Sequence, residues 1–232
     1  TIALAQLNPT VGRLDANLDK LREVRTKAAA SGADLILTSE LYACGYPPED
    51  LVMKPAFMRH LRDAVDTICA HTAKRTNGPA LLLTTPWDID GTRFNAVLLI
   101  EQGKIVDVRA KQDLPNYGVF DEKRVFAAGP MPEPISFKGV KIGVPICEDV
   151  WTPNVVAHLA KAGAEIFLVP NGSPFEADKG GLRRQLIADR VGETGAPMIY
   201  CNEVGGQDEL VFDGGSFGLN GDGSLGVALP CF

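Results

Sequence analysis

Cys147 closes the apolar run of "VKIGVPICEDVW" (residues 140–151) and is followed at once by two acids. Two readings of such a residue stand side by side. A buried cysteine packs as a small hydrophobe, whereas one at a strand end, before a turn into a helix, is placed as a nucleophile. A free thiol has a pKa near ~8.5 and holds little thiolate at neutral pH. Glu148 and Asp149 would raise that value further if they lay close, so a base or a cation has to come from elsewhere in the chain. The turn itself offers an exposed sulfur and backbone N–H groups that can hold an oxyanion. The three histidines, His60, His71 and His158, stand in no pairing motif. Other candidates sit at strand ends. "LILTSE" stops at Glu40, and burial there would raise a carboxyl toward neutrality and suit a general base. "VDVRAKQDLPNYG" carries Lys111, whose ammonium beside a cysteine favours thiolate and stabilises a tetrahedral oxyanion. Glu122 lies between apolar residues in "FDEKRVF". Taken singly, each has an ordinary alternative: a solvent contact for Glu40, a surface charge for Lys111, an exposed acid for Glu122. Three successive strand ends carrying Glu, Lys and Cys weaken those alternatives.

The elements that must position these residues follow from periodicity. "TIALAQLN" reads as a buried strand. Leu14, Leu18, Leu21 and Val24 recur at the spacing of one helix face, with Gly32 suited to the C-terminal cap. "ADLILTSE" reads as a strand ending at Glu40, "LYACGYPPEDL" as a loop broken by Gly and Pro, and residues 56–75 as a helix. "ALLLTTP" is a strand, "RFNAVLLIEQGKIVDVRAKQDL" a hairpin about Gln102-Gly103, and "LPNYGVFDEKRVF" an aromatic-rich loop. After the strand "VKIGVPIC", helices over "PNVVAHLAKAGA" and "GGLRRQLIADRVGETG" alternate with strands "EIFLVP" and "APMIYCN". "GGSFGLNGDGSLGVAL" reads as a last hairpin. Strands that alternate with helices but also pair through hairpins predict an α/β chain with mixed sheets, without internal repeat or domain boundary.

Composition narrows the function classes. The 232 residues are 45% hydrophobic and 22% charged, the balance of a globular protein. A net charge of -6 with no Lys/Arg cluster argues against nucleic acid as a partner. The apolar runs are far shorter than the ~20 residues a membrane helix needs. Cys44, Cys69, Cys147, Cys201 and Cys231 are too widely spaced for a C-x-x-C pair, which predicts free thiols in a reducing cytoplasm and no metal site. Thr1 at the start and the stop just after an apolar run lead us to expect a piece of a longer chain.

"SELYACGYPPEDL", "KQDLPNYGVFDEKRVF", "PICEDVW" and "GGQDELVFDGGS" together resemble the nitrilase superfamily of carbon–nitrogen hydrolases. Within it they resemble the glutaminase domain found in glutamine-dependent NAD synthetases. The likeness covers nearly the whole chain, residues 1–232. It implies a four-layer α-β-β-α sandwich with the site at strand ends. It implies Glu40 as general base, Cys147 as the nucleophile that forms a thioester with glutamine, and Lys111 with the backbone N–H of Glu148 as oxyanion holders. Glu122 matches a second glutamate that orients Lys111 or the substrate. Family-like contacts to L-glutamine fall on Tyr46, Tyr117, Phe120, Glu148, Ser173 and Lys179, with Glu148 receiving the α-ammonium. No cofactor is implied here. ATP and Mg belong to a C-terminal synthetase domain that would receive the ammonia, and its S-G-G-x-D-S loop is absent from these residues. A homo-oligomer is implied by the likeness alone. A stand-alone amidase of the same superfamily and a non-catalytic scaffold are the rival readings. The scaffold requires loss of Glu40, Lys111 or Cys147, and all three are present.

Overall fold

A computed structural model of the chain describes residues 1–74 and 78–232. The first half of the sequence lays down one sheet. Strand β1 (Ile2–Ala5), helix α1 (Leu14–Ala30), strand β2 (Leu35–Thr38) and helix α2 (Pro55–Lys74) lead into β3 (Ala80–Ile89), β4 (Thr92–Glu101) and β5 (Lys104–Ala110). Their spatial order is β1-β2-β3-β4-β5. β1, β2 and β3 run parallel because each connection is long enough to hold a helix. β3, β4 and β5 run antiparallel because their connections are tight turns. A one-turn helix α3 (Glu122–Val125) interrupts the aromatic loop.

The second half builds the other sheet. It comprises β6 (Ile135–Phe137), β7 (Val140–Gly143), helix α4 (Pro153–Lys161), β8 (Ile166–Asn171), helix α5 (Lys179–Thr194) and β9 (Met198–Asn202). A separate ribbon, β10 (Val204–Gln207) with β11 (Leu210–Asp213), precedes the final hairpin β12 (Phe217–Leu219) and β13 (Leu225–Ala228). The spatial order of this sheet is β13-β12-β9-β8-β7-β6. Helix α4 begins with Pro153 in its first turn, where the missing N–H costs nothing, and α5 ends on Gly195 at φ +68°.

Side chains alternate across strands with a period of two, and that period sorts the core into three layers. Ile36, Leu81, Leu83, Leu98 and Ile100 face α1 and α2. Their neighbours Leu35, Leu37, Leu82, Val97 and Leu99 face the other way, onto Ile142, Val144, Ile146, Leu168 and Cys201 of the second sheet. Phe167, Val169, Met198, Tyr200 and Phe217 then face α4 and α5. Three cores between four layers make the expected α-β-β-α sandwich. Strands buried on both faces explain why "LILT" and "ALLL" show no polar alternation.

Several boundaries differ from the sequence reading. β2 stops at Thr38 and β7 at Gly143, so Glu40 and Cys147 stand beyond their strands rather than in them. The helix expected over 56–75 runs Pro55–Lys74, and residue 75 lies outside the described residues. β3 is longer than "ALLLTTP" because β4 pairs along its whole length. The β6–β7 hairpin and the β10–β11 ribbon were absent from the sequence reading; both are too short for a clear period.

Gly143 is required by packing. A Cβ there would stand 2.6 Å from the Phe167 ring, which is fully buried between β8 and the helices. Gly143→Ala is expected to cost roughly 1–3 kcal/mol, read as a lower urea midpoint at unchanged slope.

Candidate active site

Glu40, Lys111 and Cys147 all lie just past the C-terminal ends of strands, Glu40 and Lys111 after strands of the first sheet and Cys147 after one of the second. The backbone fixes each. Glu40 N–H donates to Asn171 O at 3.2 Å, tying the first sheet to β8 of the second. Lys111 N–H donates to Asn95 O (2.8 Å), and its own carbonyl accepts from Gly129 N (2.7 Å). Cys147 opens a short 3-10 turn, Cys147–Val150, at φ +46°, and Leu41, next to Glu40, sits at φ +48°. Left-handed backbone at residues other than glycine costs of order 1–3 kcal/mol and persists where the surroundings over-determine it. Asp149 supplies part of that constraint. Its carboxylate accepts from Ile146 N (2.8 Å), Gln112 N (3.1 Å) and Asp113 N (2.7 Å), so one side chain ties the cysteine turn to the segment that follows Lys111.

Glu40 and Lys111 are fully buried. Lys111 Nζ donates to Glu40 Oε1 at 2.6 Å and to both oxygens of Glu122 at 2.9 and 3.0 Å. Asn95 Nδ2 donates to Glu40 Oε1 (2.8 Å) and lies 3.4 Å from Glu122 Oε2, while Gly172 N–H donates to Glu40 Oε2 (3.0 Å). Burial acts against the Lys111 charge more than any other single cause, yet Glu122 and Glu40 together outweigh it and hold the ammonium well above its usual range. Burial pushes Glu122 up to about 7, against the pull of Lys111. Burial likewise pushes the Cys147 thiol well up. The charge of Glu40 adds to that rise, and Lys111 opposes it. Lys111 acts in the expected direction, toward thiolate, but only in part offsets the other causes. Two carboxylates and a dry setting outweigh one ammonium, so the resting group is a thiol facing a base.

Above the thiol opens a pocket of about 200 Å³, lined by Tyr117, Phe120, Cys147, Glu148, Trp151, Ser173, Glu176 and Lys179. Tyr117 O–H donates to both oxygens of Glu148 (3.1 and 3.0 Å). Lys179 Nζ donates to Glu176 Oε1 at 2.5 Å and stands 6.0 Å from the Phe120 ring centre. Burial raises the Glu148 pKa, and the Tyr117 hydrogen bond opposes that rise. The rim thus carries acids on Glu148 and Glu176 and a cation on Lys179.

Of the residues singled out from sequence, the structure brings Glu40, Lys111, Glu122 and Cys147 into one cluster, and Tyr117, Phe120, Glu148, Ser173 and Lys179 around the pocket above it. Tyr46 is placed differently. It is buried behind the cluster with its hydroxyl donating to Glu122 Oε1 (3.1 Å), and it does not line the pocket. The sequence reading missed Asn95, Gly172, Trp151 and Glu176, and it weighed Asp149 only as an acid near the thiol, not as the bridge to residues 112 and 113. Asn95 left a trace, as the one amide inside the apolar run of β4.

The chain matches the carbon–nitrogen hydrolase family over residues 1–230. It is 47% identical over 231 residues to the glutamine-dependent NAD(+) synthetase of Rhodobacter capsulatus, covering 100% of this chain and 41% of that protein. It is 39% identical to the enzyme of the same name from Thermotoga maritima, covering 97% of this chain and 39% of that one. The solved glutamine-dependent NAD+ synthetase of Acinetobacter baumannii superposes with a TM-score of 0.92 at 36% identity, over 100% of this chain and 43% of that chain. An amidase of the nitrilase superfamily from Nesterenkonia superposes with a TM-score of 0.84 at 28% identity, over 100% of this chain and 86% of that one. A structure of that amidase carries the acetamide moiety of fluoroacetamide covalently on its active-site cysteine. The chain therefore spans about two-fifths of the length of the synthetases it matches.

Proposed function

Because the chain belongs to the carbon–nitrogen hydrolase family, we propose that it hydrolyses the side-chain amide of L-glutamine through a thioester on Cys147, giving glutamate and ammonia. The observation that carries this reading is the pocket's layout. The Cys147 thiol lines the pocket, the buried Glu40–Lys111 pair acts on that thiol from beneath the lining, and acids and a cation stand on the rim. A small amide with both an α-ammonium and an α-carboxylate is the substrate that uses both ends. A volume of about 200 Å³ suits an amino acid, being smaller than the ~300–1,000 Å³ of sites for larger ligands.

Glu40 takes the thiol proton as Cys147 Sγ attacks the amide carbon, so no free thiolate is needed at rest. The oxyanion that forms is held by Lys111 Nζ and the N–H of Glu148. That N–H belongs to the first turn of a helical segment, where backbone donors lack partners in their own turn. Glu40 returns the proton to the leaving nitrogen, and ammonia departs. Water, deprotonated by the same carboxylate, then cleaves the thioester. Glu122 keeps Lys111 in place, and Asn95 and Gly172 hold the Glu40 carboxylate in orientation.

The name of the Rhodobacter and Thermotoga relatives supports a wider reading. The ammonia feeds a synthetase domain that uses ATP and Mg to make NAD from its deamido form, in a cytoplasmic homo-oligomer. The same relatives support a division in which residues 1–232 form the glutamine amidohydrolase domain. The Nesterenkonia neighbour favours a second reading, an amidase acting on simple amides; the charged rim counts against it.

Glutamate release from L-glutamine, measured against ammonia release from butyramide across pH 5.5–9, tests the proposal. Preference for glutamine by at least about a hundredfold in kcat/KM is expected, since two charged ends are each worth roughly a factor of ten or more. Equal rates on both amides would replace it with the amidase reading. As the pH falls through about 7, Glu122 takes up a proton and loosens its hold on Lys111, so the rate is expected to drop there. Glu122→Gln should lower the rate throughout and remove that step.

A further inference from the structure

A cavity of about 340 Å³ opens on the helix-covered side of the first sheet, where the start of α2 meets the turn between β3 and β4. It shares no lining residue with the pocket above Cys147. Met58, Leu61 and Trp87 give it an apolar floor, and Trp87 is only 5% exposed. Three guanidinium groups stand around that floor. Arg59 and Arg62 come from α2, three residues apart and so on one face of the helix, and Arg93 comes from β4. The sequence holds no run of basic residues here; the fold makes the cluster from two elements.

Arg93 Nε and Nη2 donate to Asp88 Oδ1 (2.9 Å) and Oδ2 (3.1 Å), and its Nη1 donates to the Val52 carbonyl. Arg62 Nη2 donates to the Asp88 carbonyl (3.3 Å), and its guanidinium carbon lies 3.4 Å from the Trp87 ring centre. Stacking of that kind presents one flat face of the fork to the ring and leaves edge N–H groups for a ligand. Arg59 has no hydrogen bond or ion pair among the described residues, although Asp63 stands one turn further along the helix. Asp88 is the only acid lining the cavity among the described residues. Three positive charges against one negative leave an excess of two, in a chain whose net charge is -6. Arg59 and Arg62 repel each other at a small cost to the helix, and an anion between them reverses the sign.

We propose that this cavity is a binding site for a doubly charged phosphoryl group. The guanidinium fork matches phosphate oxygens in pairs. A phosphate ester carries about −1.5 to −2 at pH 7 and balances the excess, whereas a single carboxylate balances half of it. Pro55 also lines the cavity, so the positive end of the 20-residue helix α2 adds to the attraction. The volume falls within the ~300–1,000 Å³ of small-molecule sites. The apolar floor leaves room for an organic carrier of the phosphate. Nothing in this site depends on the chemistry at Cys147.

Trp87 and Trp151 are the two tryptophans of the chain, so in Trp151→Phe the indole emission reports on this cavity alone. That variant is titrated with inorganic pyrophosphate, phenyl phosphate and benzoate at constant ionic strength. Both phosphates are expected to change the emission saturably, with a midpoint below about 1 mM, as two or three charged hydrogen bonds allow. Benzoate should bind at least about tenfold more weakly than phenyl phosphate. Calorimetric titration of the chain with Trp151 in place gives the affinities without the reporter. There, Arg59→Gln with Arg62→Gln should weaken both phosphates by at least about tenfold. Both side chains are exposed, so the fold should persist, with an unchanged thermal midpoint as the check. Lys161→Gln with Arg184→Gln removes as much charge from α4 and α5, across the sandwich, and should leave the affinities within about twofold. An emission change that fails to saturate by about 10 mM, or equal weakening in both double variants, overturns the site and leaves only general attraction of anions. Benzoate bound as tightly as phenyl phosphate overturns the assignment to a doubly charged group. Tighter binding of phenyl phosphate than of pyrophosphate supports the site with a carried phosphate as its ligand, and the reverse order supports it with the free anion.

Discussion

Glutamate release by Cys147→Ala is expected to fall by at least ~10⁴-fold, the scale of loss seen when a covalent nucleophile is deleted. The size follows from the cluster. Glu40 would face no proton to take, and Lys111 would have no tetrahedral oxyanion to hold. The fold should tolerate the change. Alanine keeps the Cβ already accommodated at φ +46°, and it removes one sulfur from a residue that is 5% exposed. L-Glutamine should therefore still bind, because Glu148, Ser173 and Lys179 are untouched, and calorimetric titration would show near wild-type affinity. Residual release above that of an empty-vector preparation would refute Cys147 as the nucleophile.

Lys111→Met should have the largest effect on stability. The ammonium is the single cation within hydrogen-bond reach of Glu40 and Glu122 among the described residues. Removing one partner of a buried ion pair costs about 3–5 kcal/mol, because a charge is left uncompensated. In a domain of this size each kcal/mol moves Tm by about 2–4 °C, so a drop of roughly 10 °C is expected. The pH dependence carries a sign that a mere packing defect lacks. Without Lys111, Glu122 loses the influence that pulls its pKa down, so the folded state binds its proton more tightly than the unfolded one. Stability of the variant must then fall as the pH rises above the ordinary carboxyl range. The gap to wild type should be small near pH 5 and widest near pH 8. A gap independent of pH in calorimetric scans would show that the triad is not the origin of the loss.

Much of the site was visible in the chain because its reacting groups stand at strand ends. An apolar run that stops at a single charged or nucleophilic residue is a local pattern, and Glu40 and Cys147 each have one; Lys111 is marked only by its place at the end of a strand. The residues that hold them have no such pattern. Gly172 reaches Glu40 from the other sheet, Asn95 reaches it from another strand, and Asp149 bridges to residues 112 and 113. Those partners meet only after both sheets have formed, so periodicity in a short window cannot reveal them. Tyr46 shows the reverse limit. An aromatic loop beside the site marks the neighbourhood, but which ring faces substrate and which supports Glu122 depends on packing across β-strands far apart in sequence. The layer count was legible from strands apolar on both faces; the strand ends were not, because apolar residues such as Val144 and Ile146 run on past the last ladder bond before the turn at Cys147.

The two sheets divide the sequence cleanly. Residues 2–110 form one and residues 135–228 the other. The carboxylates and the ammonium come from the first stretch and its trailing loop, and the thiol and Ser173 come from the second. Neither half holds a complete reaction centre, so the chemistry is assembled in the seam. Reactivity of a single thiol then becomes a gauge of docking. If the chain were cut between residues 127 and 134 and the pieces recombined, the return of Cys147 labelling would time the joining of the halves, separately from the folding of either.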